Sequence, residues 1–161
     1  MGKLPVDYID RKLHEKIFLY NELLQCFHRE KMALINMDLD SLWNISKNKD
    51  ELCARIDSVR LELSAKIHSE SGMQNMANEK LIELVPEEAK PRFHALFITL
   101  RKLKAEIGAI RKANMDTADC SLKFLDEIIL IISGQIRQEF IYNDRCGFDN
   151  TGRYMFLSRE V

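Results

Sequence analysis

Apolar residues recur at alternating intervals of three and four positions along two stretches in the first half of the chain. The first repeat consists of Leu13, Ile17, Tyr20, Leu24, Phe27, Lys31 and Leu34. The second repeat consists of Leu42, Ile45, Lys49, Leu52, Ile56, Val59 and Leu63. This spacing is typical of helices that pack along one face, and it predicts helices over about 8–36 and 39–70.

The connection between these two helices is only a few residues long, from Asn36 to Asp38. Helices joined so closely run antiparallel and face each other, so the sequence predicts a helical hairpin. Asp38 or Asp40 is the predicted N-cap of the second helix, because a carboxylate at that position accepts hydrogen bonds from free amides and favours the positive end of the helix dipole.

A third helical region follows a segment that contains helix-breaking residues. Gly72 is the predicted end of the second helix, and a short helix is predicted over about 75–84. Pro86 and Pro91 bracket a second break, and Pro91 suits the first turn of a new helix. The sequence from 92 to 140 contains no proline, which predicts one long helix over this range.

This long helix carries two apolar stripes separated by the polar stretch 111–121. The first stripe consists of Phe93, Leu96, Leu100, Leu103, Ile107 and Ile110, and the second of Leu122, Leu125, Ile129, Ile132, Ile136 and Phe140. At 1.5 Å per residue the helix is roughly 70 Å long, against about 45 Å for each hairpin helix, so the hairpin cannot cover all of it. Either the helix bends near 114–120, or its second stripe is exposed as a partner-binding surface. The alternative is that the 75–84 segment or a second copy of the chain covers the stripe.

Together these elements predict an all-α fold, an antiparallel helical hairpin plus a long third helix that form a three-helix, coiled-coil-like bundle. We expect one helical domain over 1–140 and a flexible C-terminal tail over 141–161, where the helical period ends and Gly, Asn and Asp accumulate. The composition agrees, with 46% hydrophobic and 30% charged residues but only six Gly and three Pro.

Composition also narrows the classes of partner. A formal net charge of −1 gives no reason to expect nucleic acid. The longest apolar run, 128–133, is far shorter than the roughly 18 residues of a membrane span, and the N-terminus lacks a signal-peptide core. The four cysteines, Cys26, Cys53, Cys120 and Cys146, form no C-x-x-C motif. We therefore expect a cytoplasmic protein with free thiols, in which Cys26 and Cys53 are small core residues.

The histidines and acidic residues form no constellation that indicates catalysis or metal binding. His14, His28, His68 and His94 each lie in a helical stretch, and none has the Glu three positions earlier that a di-iron helical bundle requires. Phosphate-binding loops and nucleophile elbows are absent from the sequence. We expect no enzymatic activity, no metal and no cofactor.

Three segments carry a resemblance to a known family. The hairpin turn reads Ala33-Leu34-Ile35, Asp38-Leu39 and Leu42, followed by Lys49 and Glu51-Leu52. The third helix carries Asn114 ahead of Leu122 and Leu125, and Tyr142 and Gly147 follow that helix. In this order the residues resemble the FlgN family of bacterial flagellar export chaperones, which has ALI-x-x-D-L-x-x-L and K-x-E-L at the turn. The resemblance covers roughly Tyr8 to Gly147 and is weakest over 75–92 and after 147.

The resemblance implies a cytoplasmic chaperone that binds hook-associated proteins of the flagellum, keeps them unassembled and delivers them to the flagellar type III export apparatus. It also implies that clients bind the last part of the third helix and the tail. We therefore expect the partner-binding residues to be Leu122, Leu125, Ile129, Ile132, Ile136, Phe140 and Tyr142. The alternative is a structural coiled-coil protein that forms a homodimer through the same stripe.

Overall fold

A computed structural model describes residues 5–71, 81–82 and 85–134 of the chain. Three long helices make up most of these residues: α1 is Val6–Ile35, α2 is Leu39–Ser71 and α3 is Lys90–Ile132. The described residues contain no strand, and the predicted all-α fold, a hairpin plus a long third helix, is confirmed. The chain divides into two compact units, Met1–Phe124 and Leu125–Val161, and the second is described only as far as Gly134.

The turn between α1 and α2 uses each of its residues to terminate one helix or begin the next. The Met37 amide donates to the Leu34 carbonyl at 3.3 Å, and the Asp38 amide donates to the Ala33 carbonyl at 2.9 Å. These two bonds form a Schellman motif, in which the left-handed position is held by Met37 at φ +53° rather than by glycine. The next residue, Asp38, then caps α2, so the hairpin needs no longer loop.

Asp38 is the N-cap because its carboxylate reaches Ser41 in two ways. Its Oδ1 accepts from the Ser41 amide at 3.0 Å and its Oδ2 accepts from the Ser41 hydroxyl at 2.6 Å. These hydrogen bonds stabilise the ionised carboxylate and hold the pKa of Asp38 below its usual value, the hydroxyl bond being the larger cause. Of the two residues that the sequence offered, Asp38 is therefore the cap.

The main hydrophobic core is formed by side chains from all three helices and from the segment before α3. Its buried members are Ile9, Leu13, Leu19, Leu23, Phe27, Ile56, Val59, Leu63, Leu81, Ile82, Val85, Phe93, Leu96, Phe97 and Leu100. A smaller cluster of Cys26, Ala33 and Ile45 lies next to the hairpin turn. Burying a Leu, Ile or Phe side chain contributes about 1.5–3 kcal/mol, which makes this core the main source of stability.

The buried face of α1 is wider than the single predicted repeat. Leu13 and Phe27 of that repeat are buried, but Leu19 and Leu23 are buried as well, and Lys31 is exposed. A single repeat with intervals of three and four residues describes a helix that packs against one neighbour. Because α1 contributes to a core shared with both α2 and α3, a second strip of its surface is covered.

Ion pairs join the helices near the beginning of α1. The Lys12 ammonium lies 2.8 Å from Glu15 and 2.8 Å from Glu62 of α2, and the Arg92 guanidinium of α3 lies 2.5 Å from Asp10. The hydrogen bond to Glu15 and then the one to Glu62 raise the pKa of Lys12, and Lys12 in turn lowers that of Glu62. In each pair between helices one side chain is largely buried and the other is open to solvent, so solvent screens the pair and its main effect is on which helix faces meet.

The third helix begins and ends close to residues that break helices. Pro91 lies in its first turn, as predicted, and the Phe93 amide donates to the Ala89 carbonyl at 3.1 Å. The predicted end at 140 differs from the structure, in which α3 ends at Ile132 and a turn follows. Gly134 has a φ of +68° and its amide donates to the Ile131 carbonyl at 3.2 Å, so a left-handed glycine terminates the helix. Of the short helix predicted over 75–84, the structure describes only residues 81–82, which are helical. Residues 135–161, including the predicted tail, lie outside the described part of the chain.

Candidate partner-binding surface

The predicted partner-binding stripe lies at the end of α3, and each member that the structure describes is exposed. Leu122 is 60% exposed, Leu125 45%, Ile129 61% and Ile132 80%. Phe124 and Ile131, which flank the stripe on the same helix, also expose more than half of their surface. The remaining predicted residues, Ile136, Phe140 and Tyr142, lie outside the described residues.

The stripe has the same spacing in the sequence as the residues of α3 that are buried earlier in the helix. Phe93, Leu96, Leu100 and Leu103 are all buried, at intervals of three and four residues. Leu122, Leu125, Ile129 and Ile132 repeat these intervals in the sequence, so each set forms an apolar stripe along its own part of the helix. The helix continues through 114–120 without interruption. A face that is chemically suited to packing is therefore exposed to solvent at the stripe.

The last buried residue of α3 within the described chain is polar, and it joins all three helices. Asn114 is only 3% exposed, and its Nδ2 donates to the Phe27 carbonyl and to the Glu30 carboxylate, both at 2.9 Å. The other oxygen of Glu30 accepts a hydrogen bond from the Lys49 ammonium of α2. That ammonium also lies 4.9 Å from the centre of the Phe27 ring.

This polar cluster of Glu30, Lys49 and Asn114 leaves one group unsatisfied. Because both neighbours of the Asn114 amide accept hydrogen bonds, the NH2 must face them, and the Oδ1 is buried without a donor among the described residues. Buried polar groups of this kind specify helix register at some expense of stability. The sequence indicated this cluster through Lys49, the one polar residue in the second repeat. Its partner on α1 is Glu30, whereas the polar residue in the first repeat is the next one, Lys31.

A second exposed apolar group surrounds the hairpin turn, where the sequence was interpreted only as a connection. Its members are Met32, Ile35, Met37, Leu39 and Trp43, and each exposes more than half of its surface. The signal in the sequence was the concentration of large apolar residues in "MALINMDLDSLW", which a turn between two helices does not require.

Metal-binding groups and free thiols are the remaining chemical features of the described residues. Within the described ranges, no group of three or more His, Cys, Asp or Glu could hold a metal ion. Cys26 is buried, as expected, but Cys53 is exposed, which corrects the prediction that it is a core residue. The reason is positional, since Cys53 flanks the packed face of α2 rather than lying in it. Partial burial, followed by the charge of Asp50, raises the pKa of the Cys53 thiol.

Comparison with known proteins supports the resemblance seen at the hairpin turn. A family model described as FlgN protein matches residues 1–146, which is most of the chain. No curated protein and no solved structure matches the chain. Among the described residues, no helix is both long and apolar enough to cross a membrane. The chain therefore belongs to the FlgN family of flagellar export chaperones.

Proposed function

We propose that this chain is an export chaperone for the hook-associated proteins of the hook–filament junction. It binds them through the apolar face at the end of α3, prevents their premature assembly and delivers them to the type III export apparatus from the cytoplasm. Membership of the FlgN family supports the general role. The observation that carries the specific proposal is the exposed stripe of Leu122, Leu125, Ile129 and Ile132.

An exposed helical stripe of this kind suits an amphipathic helix as its partner. Helix-in-groove recognition uses apolar anchors at intervals of three, four and seven residues, which is the spacing of the stripe. Each anchor that becomes fully buried contributes about 1.5–3 kcal/mol to binding. The loss of conformational freedom in client and chaperone opposes this gain. The two contributions together give a moderate affinity. A moderate affinity suits a client that must be released for export.

The expected site extends into residues that the structure does not describe. Ile136 and Phe140 continue the spacing of the stripe, and Tyr142 follows them at the predicted start of the tail. We assign all three to the same client surface.

The experiment mixes the purified full chain, or a version that ends at Asp119, with purified hook-associated proteins and measures complex size by light scattering. The shorter version keeps every residue that is buried in the described chain, including Asn114. A complex with the full chain but not with the shorter version supports the proposal. A complex that forms to the same extent with both versions contradicts the assignment to the end of α3.

Point variants on α3 locate the site within the removed segment. Ile129→Ala should weaken client binding by about 2 kcal/mol, or roughly thirtyfold, if Ile129 is a central anchor. Glu127→Ala is the matched control, because Glu127 is also exposed but lies nearly opposite Ile129 on the helix. It should change the dissociation constant less than about threefold.

The alternative function is a structural coiled-coil protein that forms a homodimer through the same stripe. The exposed stripe would be covered equally well by a second copy of the chain. Sedimentation of the chain alone separates the two functions. A dimer at micromolar concentration that dissociates on Ile129→Asp substitution, together with no client complex, supports the homodimer. A monomer that binds clients supports the chaperone.

A further inference from the structure

An apolar groove bordered by all three helices lies close to the first residue of the exposed stripe. It has a volume of about 420 Å³, which is within the range of binding clefts. Its lining runs from Leu23 to Leu34 on α1 and from Ile107 to Ala118 on α3, about 16 Å or three helical turns on each helix. On the remaining side, α2 borders the groove with Cys53. The groove is therefore long enough to receive side chains from successive turns of a partner helix.

The groove and the stripe are continuous along α3. Leu122, the first residue of the stripe, follows the lining residue Ala118 by four positions, which places the two side chains next to each other on one side of the helix. Met115, which also lines the groove and is 56% exposed, precedes Ala118 by three positions. All three residues belong to the compact unit Met1–Phe124. One side of α3 therefore remains apolar through the stretch 111–121, although most residues of that stretch are polar.

The end of α1 leaves the groove open toward the stripe. Three contacts join α1 and α3 in chain order: Asp10 to Arg92, Tyr20 to Lys104, and Phe27 to Asn114. The two helices therefore run side by side in the same direction, and each residue of α3 in these contacts lies 82–87 positions after its partner on α1. By that offset Ile35, the last residue of α1, lies level with about 117–122 of α3. Because α3 continues past this level and α1 does not, the groove opens onto the part of the helix that carries Leu122.

The charged residues of the lining balance one another. Glu30 accepts a hydrogen bond from Lys49, and Asp50 and Arg111 add one negative and one positive charge. The rest of the described lining is apolar, apart from Asn114 and a cysteine. A charged side chain that entered this groove would lose hydration without meeting a net opposite charge, whereas an apolar side chain would gain by leaving water. The groove therefore favours an apolar segment of a partner.

We propose that the bound client extends past Leu122 into this groove, so that the hairpin as well as the end of α3 contacts it. The inference rests on the proposed function, and its occupant is an apolar segment of the same client helix. Because Met115 and Ala118 continue the stripe, a helix that covers Leu122 reaches the groove within its next two turns. There its apolar side chains contact Met115 of α3 and Leu34 of α1, which become additional partner-binding residues.

Two methionines of the chain provide a matched test. Met115 and Met32 are each 56% exposed, but Met115 lines the groove, whereas Met32 lines a different depression beside the hairpin turn. We expect Met115→Ala to weaken the binding of a purified hook-associated protein to the full chain at least about fivefold, and Met32→Ala less than about twofold. Titration calorimetry measures both dissociation constants. Equal dissociation constants for the two variants overturn the assignment to the groove.

The native cysteines report occupancy of the groove without any substitution. Cys53 and Cys120 are both exposed, but Cys53 lines the groove, whereas Cys120 lies nearly opposite Leu122 on α3. A saturating hook-associated protein should slow the alkylation of Cys53 by N-ethylmaleimide and leave the rate at Cys120 unchanged, as measured by mass spectrometry of the digested chain. An unchanged rate at Cys53 overturns the proposal. Slower alkylation of Cys53 when the concentration of the chain alone is raised would identify a second copy as the occupant, and it also overturns the proposal.

The same measurements separate this inference from the proposed function. If no hook-associated protein binds the full chain, both are overturned. If a client binds and Ile129→Ala weakens its binding, while Met115→Ala and the alkylation of Cys53 show no effect, the proposed function stands and only the groove is excluded. Weaker binding in both Ile129→Ala and Met115→Ala, together with slower alkylation of Cys53, supports both.

Discussion

Phe93 and Ile129 follow the same spacing of three and four residues in the sequence of α3, but they differ strongly in their exposure to solvent. Phe93 has no exposed surface and belongs to the core, whereas Ile129 is 61% exposed. Both continue one pattern of intervals, so the local sequence does not distinguish them. The difference depends on what lies opposite each residue, and at Phe93 this is a core that α1 and α2 complete.

The comparison shows that an apolar repeat carries two separate kinds of information. It specifies where a helix forms and which face can pack, and both regions of α3 satisfy this condition. Whether that face is covered within the chain depends on the lengths and positions of other elements. The packed region should therefore respond to substitution through stability, and the exposed region through partner binding. Measuring unfolding and client binding on the same variants separates the two responses.

The largest expected effect contrasts the two regions directly. Phe93→Ala should lower the free energy of unfolding by about 3–5 kcal/mol, because it removes a large side chain from a core that cannot fully collapse. Ile129→Ala should change it by less than about 0.5 kcal/mol, because an exposed side chain loses few contacts. Urea denaturation followed by circular dichroism measures both.

Measuring client binding as well as stability for Phe93→Ala and Ile129→Ala distinguishes the packed region of α3 from the exposed one. Ile129→Ala should weaken binding of a hook-associated protein while the unfolding midpoint remains unchanged. Should Ile129→Ala instead destabilise the fold by more than about 2 kcal/mol, the exposed stripe would be covered within the chain, and the two regions would not differ.

The next largest effect concerns the polar cluster that contains the last buried residue of α3. Lys49→Met keeps the length of the side chain over the Phe27 ring but removes the charge that pairs with Glu30. We expect a loss of about 1–2 kcal/mol, since the Glu30 carboxylate keeps only Asn114 as a partner and is partly screened by solvent.

Lys47→Met is the matched control, because Lys47 is exposed on the same helix and should contribute less than about 0.5 kcal/mol. Equal losses in the two variants would show that the cluster contributes nothing specific to the packed region. Thermal denaturation at neutral pH is sufficient to distinguish these outcomes.

The sequence specified the hairpin almost completely, because the information it requires is local. The predicted helices 8–36 and 39–70 agree with Val6–Ile35 and Leu39–Ser71 within two residues. Asp38 could be predicted from its chemistry only as one of two candidate caps, with Asp40 as the other. The left-handed turn residue could not, since Met37 occupies a position that usually contains glycine.

Features that depend on packing between helices were less accessible from the sequence. Lys31 was placed in the packed repeat although Glu30 is the residue that pairs with Lys49, an error of one position or about 100° around the helix. It arose because α1 packs in a core with two neighbours and no single repeat describes it. The exposed stripe was one of several open alternatives, because periodicity does not reveal what covers a face.

A smaller effect on stability is expected at the turn between α1 and α2, where Met37 has a positive φ that is unfavourable for a residue with a Cβ. Met37→Gly should raise the free energy of unfolding by up to about 1 kcal/mol, because glycine adopts a positive φ without steric cost. Met37→Ala is the control, since it removes the same exposed side chain and keeps the Cβ. A gain in both variants would assign the effect to the side chain rather than the backbone. Client binding should be unchanged in either.

The smallest expected effect is the pH dependence of the cap at the same turn. The bonds from Ser41 lower the pKa of Asp38 in the folded chain, so its contribution to stability is present above the ordinary carboxyl value, near 4. That contribution is lost as the pH falls through the lowered value. Asp38→Asn keeps a capping oxygen that does not titrate, so its melting temperature should fall less between pH 6 and pH 3. Asp40→Asn is the control, and a pH dependence in Asp38→Asn equal to that of the natural chain would exclude this contribution.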